Sequence, residues 1–305
     1  MTGKGETIHG LPDLKPGKYT DGHPLDDIQY IESKIILKPD RFTSRQSFWD
    51  FAKIVKSVAS QCDVGFSPDG FEKERPQIRE VVFLDTADFR LYNAGFILRR
   101  RIPYQDGFPV GEPEIVFKYR GPDMQAAADI DVRPHIEGAY RIKFKAEVLP
   151  LKDQVGGVRV LYSHNSEFPL SHQHEADRTK MSTVTRALPA LAKLQRSKDE
   201  KIAFVNHTIV EEVLQDVGTL DFGKGITAKA NVALWRERGD HTPLVGEFAY
   251  QVKFKRRDDL AAKAVKRSEQ FFVSLQFAAA EWMMPGATKT GVVYRLRGNP
   301  PQSHE

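Results

Sequence analysis

A chain of 305 residues that is 40% hydrophobic and 28% charged carries enough apolar material for a substantial core, and its formal net charge of +4 is too small to point toward or away from nucleic acid. A single cysteine, Cys62, excludes an intramolecular disulfide and a cysteine-built zinc site. No apolar run nears the roughly 20 residues of a membrane span and the opening MTGKGETIHG lacks a signal-peptide core, so a cytoplasmic protein is expected.

Residues 1–26 are rich in Gly, Pro, Asp and Lys without a period and are expected to form a flexible tail, as are residues 298–305. Between them, residues 27–297 are expected to form one domain, with a loop and helix insertion around 150–200. Gln29–Lys38 alternates, with Tyr30, Glu32, Lys34 and Ile36 on one face and Ile31, Ser33, Ile35 and Leu37 on the other. Thr43 and Gln46 have capping-box spacing, and Phe48, Phe51, Ile54, Val55 and Val58 follow at helical spacing. A strand over Arg79–Leu84, a turn at Asp85-Thr86-Ala87-Asp88 and a glycine at Gly95 lead to a second strand ending in Arg99, Arg100 and Arg101. Arg99 and Arg101 share a face, one strand pitch apart, a fork suited to phosphate oxygens; the same pair would also suit the wet side of a hairpin.

Glu114–Arg120 puts Glu114, Val116, Lys118 and Arg120 on one face and ends at Gly121-Pro122. A strand is expected over Ile130–Ile136, presenting Asp131 and Arg133, and another over Tyr140–Leu149, where Arg141, Lys143, Lys145 and Glu147 alternate with Ile142, Phe144, Ala146 and Val148. From Pro150 to Glu200 the pattern lapses: SHNSEFPLSHQHE reads as loop, its His172, His174 and Glu175 as solvated groups, and a helix is expected over Ser182–Leu194. Strands are expected over Ala203–Val217, including Glu212, over Ile226–Arg238, and over Glu247–Lys255, with Glu247, Ala249, Gln251 and Lys253 on one face. A helix from Asp258-Asp259 to about Met283 and a last strand over Thr290–Arg297 complete the chain. There is no P-loop, Gly-x-Gly-x-x-Gly or nucleophile elbow, which disfavours kinase-type, dinucleotide and hydrolase-elbow sites.

The pattern implies an α+β protein with a closed or nearly closed antiparallel β-barrel and amphipathic helices packed outside. Each strand has an apolar and a charged face, and two arrangements satisfy that. Charged faces outward would make an ordinary wet surface. Charged faces inward would leave the apolar faces for the helices and would require a wet lumen or a counter-charge.

The run Phe83-Leu84-Asp85-Thr86-Ala87-Asp88-Phe89-Arg90-Leu91, followed by Ala94-Gly95-Phe96-Ile97-Leu98-Arg99-Arg100-Arg101, resembles the signature of the CYTH superfamily, the triphosphate tunnel metalloenzymes, with Ala87 in place of a proline. Tyr30-x-Glu32-x-Lys34 is similar to the family's opening Glu-x-Glu-x-Lys, with Tyr30 replacing the first glutamate. The resemblance is strong over residues 83–101 and weak elsewhere from about Tyr30 to Leu296. It implies a tunnel with charged faces inward and a divalent-metal-dependent phosphohydrolase acting on inorganic triphosphate, a nucleoside triphosphate or thiamine triphosphate. Lys34, Arg99, Arg101, Lys118, Arg120, Arg133, Lys143 and Lys253 would bind phosphate, and Glu32, Lys34 and Glu247 would serve catalysis. Glu32 and Glu247 would hold Mg2+ or Mn2+, completed by Glu147, Asp131 or Glu212. Ala249 and Gln251 stand where a second late carboxylate is expected. A non-catalytic polyphosphate-binding module with a degenerate metal site therefore remains open, as does a class IV-type nucleotide cyclase. A basic helix or stacking motif for nucleic acid is missing.

Overall fold

The computed structural model describes residues 11–68, 75–170 and 179–297. Its strands are β1 (Tyr30–Leu37), β2 (Gly65–Ser67), β3 (Gln77–Asp85), β4 (Phe96–Gln105), β5 (Phe108–Pro109), β6 (Glu114–Gly121), β7 (Arg141–Pro150), β8 (Val158–Pro169), β9 (Ala203–Phe204), β10 (Val210–Asp221), β11 (Thr227–Glu237) and β12 (Pro243–Lys253). Its helices are α1 (Arg45–Gln61), α2 (Arg90–Asn93), α3 (Met124–Ala128), α4 (Met181–Ala187), α5 (Ala262–Ala278) and α6 (Lys289–Tyr294). None of them is long and apolar enough to cross a membrane.

Hydrogen bonding runs β10-β11-β12-β1-β7-β8-β6-β4-β3 and returns from β3 to β10, closing a 9-strand barrel. The junctions are antiparallel except β1–β7, which is parallel. An odd-numbered ring cannot alternate direction all the way round, so one parallel seam is obligatory. β10 shares one edge between two partners: Val210–Leu214 pairs with β3, and Thr219–Asp221 pairs with β2. The bulge between Asp216 and Gly218 turns the strand from one to the other. Only glycine fits there, since a Cβ on Gly218 would lie 2.3 Å from the Ser67 carbonyl oxygen.

The apolar strand faces point outward and meet the helices. Ser44 and Ser47 cap α1 reciprocally, one residue away from the expected Thr43–Gln46 box. Phe51 of α1 packs on Phe248 of β12 with ring centroids 5.4 Å apart, and Phe271 of α5 on Tyr250 at 5.7 Å. Each buried ring of this kind contributes about 1.5–3 kcal/mol. A second outer cluster, Leu98, Ile115, Phe117 and Phe168, lies under Met181, Leu188 and Leu191. At one end the inward face turns apolar too: Ile36, Val81, Phe83, Ile97, Trp235 and Val245 gather with Val293 and Tyr294 of α6, which stoppers that end of the lumen.

Several expectations give way. Residues 158–169 form β8, a full barrel strand, because its polar side chains are buried on both faces instead of alternating with apolar ones. Ile130–Ile136 is irregular; Pro134 removes a ladder donor and no strand pairs with it. The expected strand over Thr290–Arg297 does not form: Lys289–Tyr294 is helical, since Thr288 accepts the Gly291 N–H at 3.0 Å and opens α6. Pro189 divides the expected Ser182–Leu194 helix into α4 and a 3-10 turn. Asn206, at φ 53°, breaks the expected Ala203–Val217 strand into β9 and β10. The end of the expected N-terminal tail is packed: buried Tyr19 donates to the Ala128 carbonyl at 3.0 Å, and Asp26 meets His164 Nε2 at 3.1 Å. His172, His174, Glu175 and the tail 298–305 lie outside the described residues.

Candidate functional site

The signature turn itself carries no phosphate chemistry. Asp85 is buried and accepts the backbone N–H groups of Thr86 (2.7 Å), Leu91 (2.9 Å) and Tyr92 (3.0 Å) and the hydroxyl of Tyr294 (3.1 Å). Burial raises its carboxyl to about 6 despite these donors. Asp88 accepts from Thr86 at 2.7 Å and pairs with Arg90 at 3.1 Å. The motif starts α2 and pins α6; it supports the barrel wall without facing the lumen ligand space.

The lumen is where the charge lies. Strand alternation and register turn Glu32, Lys34, Arg79, Arg99, Arg101, Glu114, Lys118, Arg120, Arg141, Lys143, Lys145, Glu147, Glu167, Glu212, Glu247 and Gln251 inward, opposite the outward apolar cluster. Lys253 shares that face at the exposed end of β12. Asp131 and Arg133 do not join them. Arg133 pairs with Asp131 at 2.6 Å and Asp21 at 2.9 Å and lies 4.5 Å over the Tyr19 ring, outside the barrel, because the expected strand there does not form. Arg79, Glu114, Arg141, Lys145, Glu167 and Lys289 are lumen residues that the sequence reading left without a role. Alternation could have placed Arg79, Glu114, Arg141 and Lys145; Glu167, on a strand with polar residues on both faces, and Lys289, which reaches in from α6, carried no such signal.

On the β12–β1–β7 wall each carboxylate is matched by a cation. Lys34 bridges Glu32 at 2.8 Å and Glu147 at 3.2 Å, and Lys118 reaches Glu147 at 2.8 Å. Lys289 bridges Glu247 at 2.7 Å and Glu212 at 3.3 Å, while Arg79 Nε donates to Glu212 at 2.7 Å. Burial alone would push Glu32 up, but Lys145 and Lys34 outweigh it and hold the carboxyl at about 2. Glu147, 1% exposed, is held well below the carboxylate range by Lys118, Lys34 and Arg120, again against burial. Lys118 goes the other way: burial, with Lys34, Arg120 and Lys145 nearby, lowers it to about 7 in spite of its Glu147 contact.

The β3–β4–β6 wall differs. Arg101 pairs with Glu114, its cross-strand partner, and lies 3.9 Å from Glu167. Arg99 is flanked in register by Phe83 and Val116 and makes no hydrogen bond or ion pair among the described residues. Burial and the neighbouring Arg101 lower it to about 10, which still leaves it charged at neutral pH. Further along the lumen, level with Lys118 and Lys143 and with Arg120 and Lys145, the buried Asn165 Oδ1 and Ser163 Oγ of β8 also lack hydrogen-bond partners among the described residues. Arg99 is half-buried with its Nε sealed from solvent; a guanidinium so placed without an ion-pair partner is costly, and a bound anion is the group that would relieve it.

The fit to a divalent metal is poor. Register sets Glu32 opposite Gln251 and Glu247 opposite Ile36, so the two expected ligands stand about 13 Å apart along the strands, four residues at ~3.3 Å each. Among the described residues no group of ≥ 3 His, Cys, Asp or Glu side chains gathers as a metal site. Glu147, the residue that does face Glu32 across the parallel seam, is already engaged by lysines. A separate cavity of about 580 Å³ lies outside the barrel between Leu98, Ile115, Phe168 and Val184. Its apolar lining does not suit a polyanion.

No family model matches the chain, and no curated protein does. Among solved structures it is similar to a candidate adenylyl cyclase from Hippeastrum with a dominant triphosphatase activity, at 13% identity and a TM-score of 0.42, over 88% of this chain and 95% of that one. A candidate adenylate cyclase from Bacillus halodurans matches at 12% identity and TM-score 0.37, over 86% of this chain and 95% of that chain. A protein from Pyrococcus horikoshii matches at 12% identity and TM-score 0.34, over 88% and 99% of the two chains.

Proposed function

We propose that the barrel lumen encloses the polyphosphate of a triphosphate-bearing compound: inorganic triphosphate, a nucleoside triphosphate or thiamine triphosphate. The observation that carries this is Arg99, a lumen cation that forms no ion pair with a described carboxylate, Glu212 and Glu167 acting on it only from beyond contact. Around it Arg101, Lys118, Arg120 and Lys143 line the same face, and the inward cations outnumber the inward carboxylates. The ligand's oxygens would accept from the orphaned Arg99 and draw Lys143 from Glu167, to which it is paired at 2.7 Å. Calorimetric titration of tripolyphosphate into the full chain tests this. Saturable binding that weakens with salt is expected; no binding at low ionic strength would overturn it.

Hydrolysis of the bound anion is a second reading, favoured by Lys118. A lysine held at about 7 is poised at neutral pH to give a proton to the leaving phosphate oxygen as water attacks phosphorus and passes its own proton to a phosphate oxygen. Orthophosphate release from tripolyphosphate or ATP supports hydrolysis, pyrophosphate release from ATP together with a cyclic nucleotide supports cyclisation, and bound but unchanged ligand leaves a binding module.

A further inference from the structure

The level of the lumen at Glu32 holds a feature that the enclosed-polyphosphate reading does not use. Register brings Tyr30 and Glu32 of β1 beside Lys253 and Gln251 of β12 on one side, and beside Lys145 and Glu147 of β7 on the other. Into this level projects the Lys145 ammonium. It donates to Gln251 Oε1 at 2.7 Å, lies 3.4 Å from Glu32 Oε1, and stands 5.8 Å from the Tyr30 ring centroid. The Lys253 ammonium lies 5.7 Å from the same ring. Lys145 is only 12% exposed, so it is a built-in cation held by an oxygen ligand set, not a surface lysine at rest.

A hard divalent ion at this level would need several oxygen ligands, carboxylates among them. Tyr30 offers an aromatic face where the resemblance leads one to expect a carboxylate, and Gln251 offers a neutral amide oxygen already spent on Lys145. The lysine is attached to the chain, so an incoming Mg2+ must displace a tethered ammonium and then meet only two carboxylates, Glu32 and Glu147, which Lys34 already bridges and of which Glu147 is also held by Lys118. Lys34 between Glu32 and Glu147, and Lys289 between Glu212 and Glu247, go further, each ammonium bridging two carboxylates.

We propose that this lumen binds its polyphosphate without a divalent metal, the Lys145 ammonium standing where the ion would otherwise sit. The ligand is then the free polyanion, and Mg2+ in solution is a competitor, because it neutralises the anion before the lumen can. The inference rests on the enclosed-polyphosphate reading, and one experiment separates the two. Tripolyphosphate is titrated calorimetrically into the full chain with EDTA and again with excess Mg2+, while Mn2+ alone is followed by electron paramagnetic resonance in the presence of the protein. Binding that survives EDTA and weakens progressively as Mg2+ is raised, in proportion to the polyanion it sequesters, is expected. The Mn2+ spectrum should stay that of the free ion.

Binding abolished by EDTA and restored by Mg2+ overturns the metal-free inference and leaves the enclosed-polyphosphate reading standing. Binding under neither condition overturns both. A variant combining Tyr30→Glu, Lys145→Met and Gln251→Glu supplies the missing carboxylates and removes the tethered cation. It should immobilise Mn2+, and Tyr30→Glu with Gln251→Glu in the presence of Lys145 should not. Mn2+ immobilised by the wild-type chain overturns the inference whatever the variants do.

Discussion

The two walls of the lumen hold charge in opposite ways. Along β12, β1 and β7, Glu32, Glu147 and Glu247 are each satisfied by a lysine within 2.8 Å. Along β3, β4 and β6, Arg99 faces Phe83 and Val116 across its two ladders and has nothing to pair with. Two arginines only one pitch apart on the same strand face thus differ completely, since Arg101 happens to stand opposite Glu114. A matched buried charge is structural: losing one member strands the other. An unmatched one is a binding element that the fold tolerates at a cost to stability.

The largest effect that could break this comparison is on stability. Glu147→Gln should destabilise the protein by about 3–5 kcal/mol, read as a lower urea midpoint, because Lys34, Lys118 and Arg120 lose their common counter-charge. Arg99→Ala should leave that midpoint unchanged or raise it. A large loss from Arg99→Ala together with none from Glu147→Gln would reverse the roles assigned to the walls.

Affinity comes next. Arg99→Ala should weaken tripolyphosphate binding ten- to a hundredfold, about 1.5–3 kcal/mol for one charge-assisted contact. Arg101→Ala should cost less affinity and more stability, because it takes from Glu114 its cross-strand partner and leaves it only the exposed Arg141 at 3.0 Å. Equal affinity losses from both would restore the symmetric fork expected from the sequence.

A smaller effect sharpens the boundary between the walls at Lys118. Its folded value of about 7 lies below the ordinary 10.5, so the unfolded chain binds more protons between those values. Stability should therefore rise with pH across that window. Ligand works in the opposite sense: an anion restores the ammonium, so binding at pH 8 should take up a proton and affinity should fall as pH climbs above 7. Calorimetry in two buffers of different ionisation enthalpy measures the uptake, which should vanish in Lys118→Met. The smallest effect is at Tyr30. Tyr30→Leu should weaken binding only severalfold, through loss of about 0.5–1 kcal/mol of ring contact with Lys145 and Lys253, and Tyr30→Phe should not change it.

The sequence showed which faces carried charge wherever alternation was strict, as at Glu32 and Lys34, Arg99 and Arg101, or Lys143, Lys145 and Glu147. Period two is a local property, and the barrel preserved it in β1, β4, β6, β7 and β12. It could not show which charges meet. That depends on register between strands far apart in the chain, which separates Glu32 from Glu247 and gives Arg101, but not Arg99, a carboxylate opposite. β8 escaped notice because a strand whose polar residues are buried on both sides has no apolar face to count: Ser163 and Asn165 point inward, while His164 contacts Asp26 and the Ala127 carbonyl outside. Lys289 precedes the expected Thr290–Arg297 strand and opens a short helix, and no periodicity reports that its ammonium enters the lumen.

The parallel seam also sets an order of events during synthesis. β1 is the first barrel strand made, yet Tyr30 and Glu32 complete their ladders only when Lys253 and Gln251 of the last strand arrive. A nascent chain that ends before Pro243 has bare edges on β1 and β11, and Phe51 of α1 lacks the Phe248 ring it packs on. Pairing this distant in sequence folds slowly, and unclosed edges invite other chains. The inward charges of Glu32 and Lys34 then serve before any ligand does, because a strand carrying them is a poor template for edge-to-edge association while the barrel waits for its final stave.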